Sequence, residues 1–239
     1  MPQSWINALD RYNYPVKLAN YQYANNFRKF FKRQIQGDRN STIAFEDYFR
    51  ENIQNIEVWC EVVFWKLYSQ GNRGNINTKR CWDFWRRKNI TAKELYNAAN
   101  NFIANNDKDS FNKYRKLWPF YKSRVIAVIA TPMSFLVPDR FPMVDTRVAK
   151  WIDSQLNIHN NDHNGPQLIR SRYGQTTSTV LTMVDFDFYL HWVYWARHTA
   201  KKLSQQTEMK WRARDVEMAV FTAWGDKGCS HPRLSLHCI

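Results

Sequence analysis

Asp145 stands where a carboxylate could do chemistry. It belongs to the run Val144-Asp145-Thr146-Arg147-Val148, at the foot of a proline-bounded loop and the start of a periodic helix. Just upstream, residues 113–124 carry Lys113, Arg115, Lys116, Lys122 and Arg124 with no acid among them. Residues 79–93 form a second cluster of six Lys/Arg, with Asp83 the acid in it. One carboxylate beside a dense cationic run, in a chain of net charge +14, points to chemistry on a polyanion such as nucleic acid. Two bland readings stand beside this one. Asp at a helix start is a favoured N-cap residue, and a basic run is commonly a solvated helix face.

Composition bounds the elements that must position these groups. The 239 residues suit one large domain or two small ones sharing a cleft. Hydrophobic content is 44%, enough for a core, and glycines number only 7. Few glycines and long periodic segments predict an all-α protein. Aromatics are dense, with 11 Trp, 12 Tyr and 15 Phe. Most belong in a core, because burying each contributes a few kcal/mol, on the order of 2; the rest can serve as stacking surfaces. No apolar run approaches the roughly 20 residues that span a bilayer. The N-terminus lacks a basic-then-apolar signal pattern, so a cytoplasmic, intracellular protein without membrane contact is expected. Cys60, Cys81, Cys229 and Cys238 contain no CxxC pair. They read as free thiols, and Cys229, His231, His237 and Cys238 match no tetrahedral metal spacing. No cofactor or metal is expected.

Periodicity and caps predict the helices. A helix with a basic end is expected over 14–36. Residues 43–68 carry Ile53, Ile56, Trp59, Val63 and Leu67 at three- and four-residue steps, broken near 52–55. Residues 71–77 read as a turn-rich loop. Thr91-Ala92-Lys93-Glu94 is a capping box, so a helix starts at Ala92. Asp109 or Ser110 caps the next helix, which ends before Pro119. A buried apolar helix over 124–136 follows, then the loop, then a helix over 145–156. A long amphipathic helix covers 185–203, and a last helix over 211–224 stops at Gly225.

The order of these parts resembles the helix-hairpin-helix DNA glycosylase superfamily, the endonuclease III class. The residues that carry the likeness are Leu117-Trp118-Pro119, the tight connection 119–124, the apolar helix, the proline-containing loop, and Val144-Asp145-Thr146-Arg147-Val148. The likeness is closest over 114–151. In that family a Val-Asp-Thr-His segment carries the catalytic aspartate, so the resemblance implies that role for Asp145, with Arg147 in the place of the usual His. Leu67-Tyr68-Ser69-Gln70 is similar to the family segment whose glutamine wedges into the DNA stack. His191-Trp192 is weakly similar to the helix that follows the aspartate. The chain departs from the family at the hairpin, which has no glycine. Lys122, Ser123 and Arg124 side chains would then replace backbone amides at a phosphate. The lysine nucleophile of bifunctional members has no aligned counterpart; Lys122 is the nearest lysine. The family's iron–sulfur cysteines are absent.

The resemblance implies a two-lobed fold with a DNA-binding cleft between lobes. A core lobe would cover 43–140, with the hairpin at 119–124. The second lobe would combine 1–42 with 141–239 and carry Asp145. It also implies a monomeric DNA N-glycosylase that flips out and excises a damaged or modified base from double-stranded DNA. Such an enzyme serves base-excision repair or restriction of modified foreign DNA such as phage DNA. Asp145 and Lys122 are the expected catalytic residues. Ser69, Gln70, Lys116, Ser123, Arg124 and Arg147 are the expected DNA contacts, with Asn72 also placed to read a base edge. Trp65, Tyr68, Trp192 and Trp195 are candidates to sandwich the flipped base, against the plainer reading that they pack the core. A non-catalytic DNA-binding protein of the same fold is the alternative, and an enzyme acting on RNA a third.

Overall fold

The computed structural model describes residues 2–26, 29–120, 125–159, 165–171 and 185–225. Ten α-helices and one two-residue ladder carry the fold among them, so its class is all-α. Two compact units arise, one from 14–136 and one from 1–13 with 137–239. Residues 14–42 therefore belong with the helices that follow them, whereas the sequence reading groups them with the C-terminal half.

The first unit holds α2 (Arg39–Glu51), α3 (Ile56–Leu67), α4 (Asn72–Arg87), α5 (Ala92–Asn105), α6 (Lys108–Arg115) and α7 (Val125–Leu136). Among the described residues of 14–36 the expected α-helix is absent. Residues 16–17 and 34–35 instead form an antiparallel ladder, β1 (Val16–Lys17) with β2 (Gln34–Ile35). Local composition loses to tertiary partners there. Val16 and Leu18 are buried with Lys17 exposed between them, a period of two rather than 3.6. Phe31 turns to φ +59 and gives its amide to Glu61 at 2.6 Å. Its ring stacks on Tyr21 at 4.4 Å.

The break expected at 52–55 is present, between α2 and α3. The loop expected over 71–77 is not, because α4 begins at Asn72. The Gly and Asn residues that read as turn formers serve close packing instead. A Cβ on Gly74 would collide with the carbonyl oxygen of Leu67. Asn75 is buried, donates to the Gly71 carbonyl at 3.3 Å and accepts from the Gln22 amide at 2.8 Å. The Thr91–Glu94 capping box forms in full, and its hydrogen bonds hold the Glu94 carboxyl below its ordinary range. The cap of α6 is Asp107 rather than Asp109 or Ser110; its carboxylate accepts from the Ser110 amide at 2.7 Å. Trp118, just beyond α6, is fully buried. Its ring lies 5.1 Å from Trp85, 5.7 Å from Tyr114 and 6.5 Å from Trp59. Trp85 in turn donates its indole N–H to the Leu117 carbonyl at 2.8 Å.

The second unit holds α1 (Pro2–Asp10), α8 (Thr146–His159), α9 (Phe186–Gln206) and α10 (Ala213–Gly225). Its core is a tryptophan cluster. Trp5 of α1 has no exposed surface and meets Trp151, Trp195 and Trp211 at 6.3–6.5 Å between ring centres. The pairs with Trp151 and Trp211 are edge-to-face, and such pairs add about 0.5–1.5 kcal/mol each beyond the area they bury. A short N-terminal helix is thereby tied to three separated parts of the chain. Among the described residues no helix is long and apolar enough to cross a membrane.

Candidate active site

Asp145 is the N-cap of α8. Its Oδ1 accepts from the amides of Arg147 at 2.9 Å and Val148 at 3.0 Å, and its own carbonyl accepts from the Ala149 amide at 2.9 Å. The side chain is half-buried, while Val144 and Val148 on either side are fully buried. Helix amides and the positive end of the helix dipole thus hold a carboxylate in one orientation.

The strand of backbone that leads into Asp145 is fixed by α9. Trp192 donates its indole N–H to the Met143 carbonyl at 2.8 Å, and the Tyr189 hydroxyl donates to the Pro142 carbonyl at 3.4 Å. The preceding turn is tied to the start of α10, where the Arg214 amide donates to the Pro138 carbonyl at 3.0 Å. Arg147 is exposed, with its guanidinium 4.5 Å above the centre of the Phe221 ring, also on α10. Sequence reading missed Tyr189, and for Trp192 it weighed core packing against a base-stacking role without its bond to the Met143 carbonyl. No spacing rule marks an indole that serves a backbone carbonyl 49 positions away.

Three of the four base-pocket candidates are core residues. Trp192 and Trp195 are 0% and 3% exposed and stack on one another at 5.6 Å; Trp195 also meets Trp5 and Trp151. Trp65 is 1% exposed and packs edge-on against Tyr14 and Phe135. Rings buried in this way stabilise their units and present no face to a base. Tyr68 is half-buried, edge-on to Phe64, and its hydroxyl accepts from Asn20 at 3.0 Å.

Ser69 and Gln70 are exposed on a single 3-10 turn between α3 and α4, and Asn72 is exposed as the first residue of α4. The Ser69 amide donates to the Tyr14 hydroxyl at 3.4 Å. Lys116 is the exposed C-cap residue of α6. Lys122, Ser123 and Arg124 lie outside the described residues. Asp145, Arg147, Trp192 and Trp195 fall in the unit completed by residues 1–13, and the other described candidates in the unit 14–136. The basic cluster over 79–93 lies on α4 and the start of α5. Arg80, Arg86, Arg87, Lys88 and Lys93 are exposed there, and Lys79 pairs with Asp83.

One carboxyl outside these motifs is strongly perturbed. Glu61 is fully buried on α3, and burial pushes its carboxyl up to about 7, against the pull of the Phe31 amide, the Tyr48 hydroxyl and Arg33. Cys60 and Cys81 are buried free thiols, and burial pushes both up. Among the described residues no group of His, Cys, Asp and Glu has the arrangement of a metal site. Cys229, His231, His237 and Cys238 lie outside them.

The chain matches no known protein-family model, no curated protein and no solved structure.

Proposed function

We propose that this protein is a DNA N-glycosylase that excises a damaged or modified base from double-stranded DNA and leaves an abasic site. The observation that carries the reading is the Asp145 carboxylate, oriented by the first amides of α8 after the apolar α7 and its proline-containing loop. The net charge of +14 supports a polyanionic substrate, and the exposed Gln70, Ser69, Lys116 and Arg147 are its candidate contacts.

In the reaction the bond from C1′ to the base nitrogen breaks, and its electron pair leaves with the base. Positive charge develops on the sugar, and a fixed carboxylate beside C1′ stabilises that charge more than it stabilises the neutral ground state. Water then adds at C1′, with Asp145 orienting it and taking its proton, while the departing base is protonated by solvent. A lysine in place of water gives a Schiff base and strand cleavage; Lys122 is the candidate for that variant of the chemistry.

Mass spectrometry of bases released from a panel of modified duplexes tests the proposal. Wild-type protein should release one class of base, and Asp145→Asn should lose release by about two orders of magnitude or more while DNA affinity stays or rises. Full activity in Asp145→Asn removes Asp145 from the mechanism. Borohydride trapping of an adduct that vanishes in Lys122→Ala assigns the lysine route; abasic product without an adduct assigns water.

The second reading is a DNA-binding protein without catalysis. It is favoured by the burial of Trp65, Trp192 and Trp195, which removes three of four aromatic walls for a flipped base. Duplex binding with no base released from any duplex of the panel supports it.

A further inference from the structure

One face of α9 carries a stripe that the Asp145 site does not use. His191, Tyr194, His198 and Lys201 recur at three- and four-residue steps, with Arg197 beside them. Such spacing places them on one side of the helix. The segment 165–171 lies against that side and makes a wall. Pro166 and Gln167 complete the lining of a cleft of about 530 Å³ with His191, Tyr194, Arg197, His198 and Lys201.

The wall is built rather than draped. The Gln167 carbonyl lies 2.7 Å from His191 Nδ1. A carbonyl only accepts, so Nδ1 carries the proton and donates it. Four residues further on, Ser171 gives both its amide and its hydroxyl to the Asp153 carboxylate of α8, at 2.9 and 2.8 Å. Leu168, between those ties, is buried. The segment is therefore pinned to two helices.

The chemistry of the lining has one sign. Two permanent cations, Arg197 and Lys201, line the cleft, and among the described residues no acid does. Among the described residues neither cation has a carboxylate partner. Asp187 lies one turn before His191 and is not part of the lining. Tyr194 is 42% exposed, one of the few large hydrophobic side chains left open. An unpaired guanidinium and ammonium one turn apart suit a phosphate. An open phenol ring beside them suits the flat face of a base.

We infer that this cleft binds a nucleotide unit. Arg197 and Lys201 hold the phosphate, and Tyr194 stacks on the base. The unit is either a free nucleoside monophosphate or one residue of a single strand, and the two share this chemistry. The inference does not depend on the base-release reading, because its test measures binding alone.

Calorimetric titration of the full chain with deoxyadenosine monophosphate, with inorganic phosphate and with a short oligodeoxyadenylate tests it. Arg197→Ala/Lys201→Ala should weaken the nucleotide by roughly tenfold or more at an unchanged unfolding temperature. Tyr194→Ala should weaken the nucleotide and leave inorganic phosphate as it was. A strand that binds more tightly than the monophosphate, and loses affinity in the same variants, assigns the site to nucleic acid. A monophosphate that binds as tightly as the strand assigns it to free nucleotide. Nucleotide affinity unchanged in the double variant overturns the inference, as does inorganic phosphate binding as tightly as the nucleotide.

Discussion

Asp145 has two roles that substitutions can separate. As an N-cap it satisfies two amides of α8 through Oδ1. As the proposed catalytic group it supplies negative charge. Asparagine caps about as well as aspartate but carries no charge. Asp145→Asn should therefore unfold at the wild-type denaturant midpoint while losing base release. Asp145→Ala should lose release and also about 1 kcal/mol of stability, read as a lower urea midpoint. Equal stability in the two variants would mean that the cap contributes nothing. Trp192 acts one step behind. Its indole N–H satisfies a buried carbonyl two residues before Asp145, so Trp192→Phe leaves that carbonyl unpaired at a cost of about 1–3 kcal/mol. Base release should fall further than DNA affinity does, because the carboxylate loses its setting while the exposed contacts remain. Release and stability both unchanged in Trp192→Phe would remove this positioning role.

At the scale of elements, the parts written in local rules were legible in the sequence. The Thr91–Glu94 box, the break between α2 and α3, the apolar α7 and the long α9 each follow from a cap or a 3.6-residue period. The parts set by distant partners were not legible. The 14–36 segment has helix-like composition, yet Glu61 and the Tyr21–Phe31 stack determine its path. At the candidate site the same division holds. Asp145 at a helix start was readable from its neighbours, whereas the fate of Trp192 and Trp195 depended on Trp5, at the other end of the chain. Gly74 tests the misread start of α4. It was read as a loop former, but it lets α4 approach the end of α3 at the Leu67 carbonyl. A methyl group there has backbone, not a yielding side chain, in its way. Gly74→Ala should cost about 1–3 kcal/mol, although alanine is the better helix former by roughly 1 kcal/mol. A stabilised Gly74→Ala in urea unfolding would show that helix propensity, not the close approach, governs this position.

At the scale of the whole molecule, charge governs how the protein meets its surroundings and how its stability responds to pH. A chain of net charge +14 should lose duplex affinity steeply between low and physiological salt, because each neutralised phosphate releases condensed counterion. A salt-independent affinity would argue against phosphate contacts altogether. The pH response turns on Glu61. Its ordinary value is 4.5, and burial raises it to about 7 in the fold. Between those values the unfolded chain has lost the proton and the folded chain keeps it. The folded state then binds more protons, so stability falls as pH rises from about 4.5 to about 7 and levels off above. A rise of this size corresponds to roughly 3 kcal/mol. The depressed carboxyls of Glu94 and Asp107 act in the opposite sense and below that window, since stability from them is lost only as pH falls through the acid range. Glu61→Gln keeps an acceptor for the Phe31 amide and removes the titration. Urea unfolding at pH 5 and pH 8 should therefore show wild type losing stability relative to Glu61→Gln as pH rises. Parallel behaviour of the two proteins would mean that Glu61 is ionised in the fold with its charge already compensated.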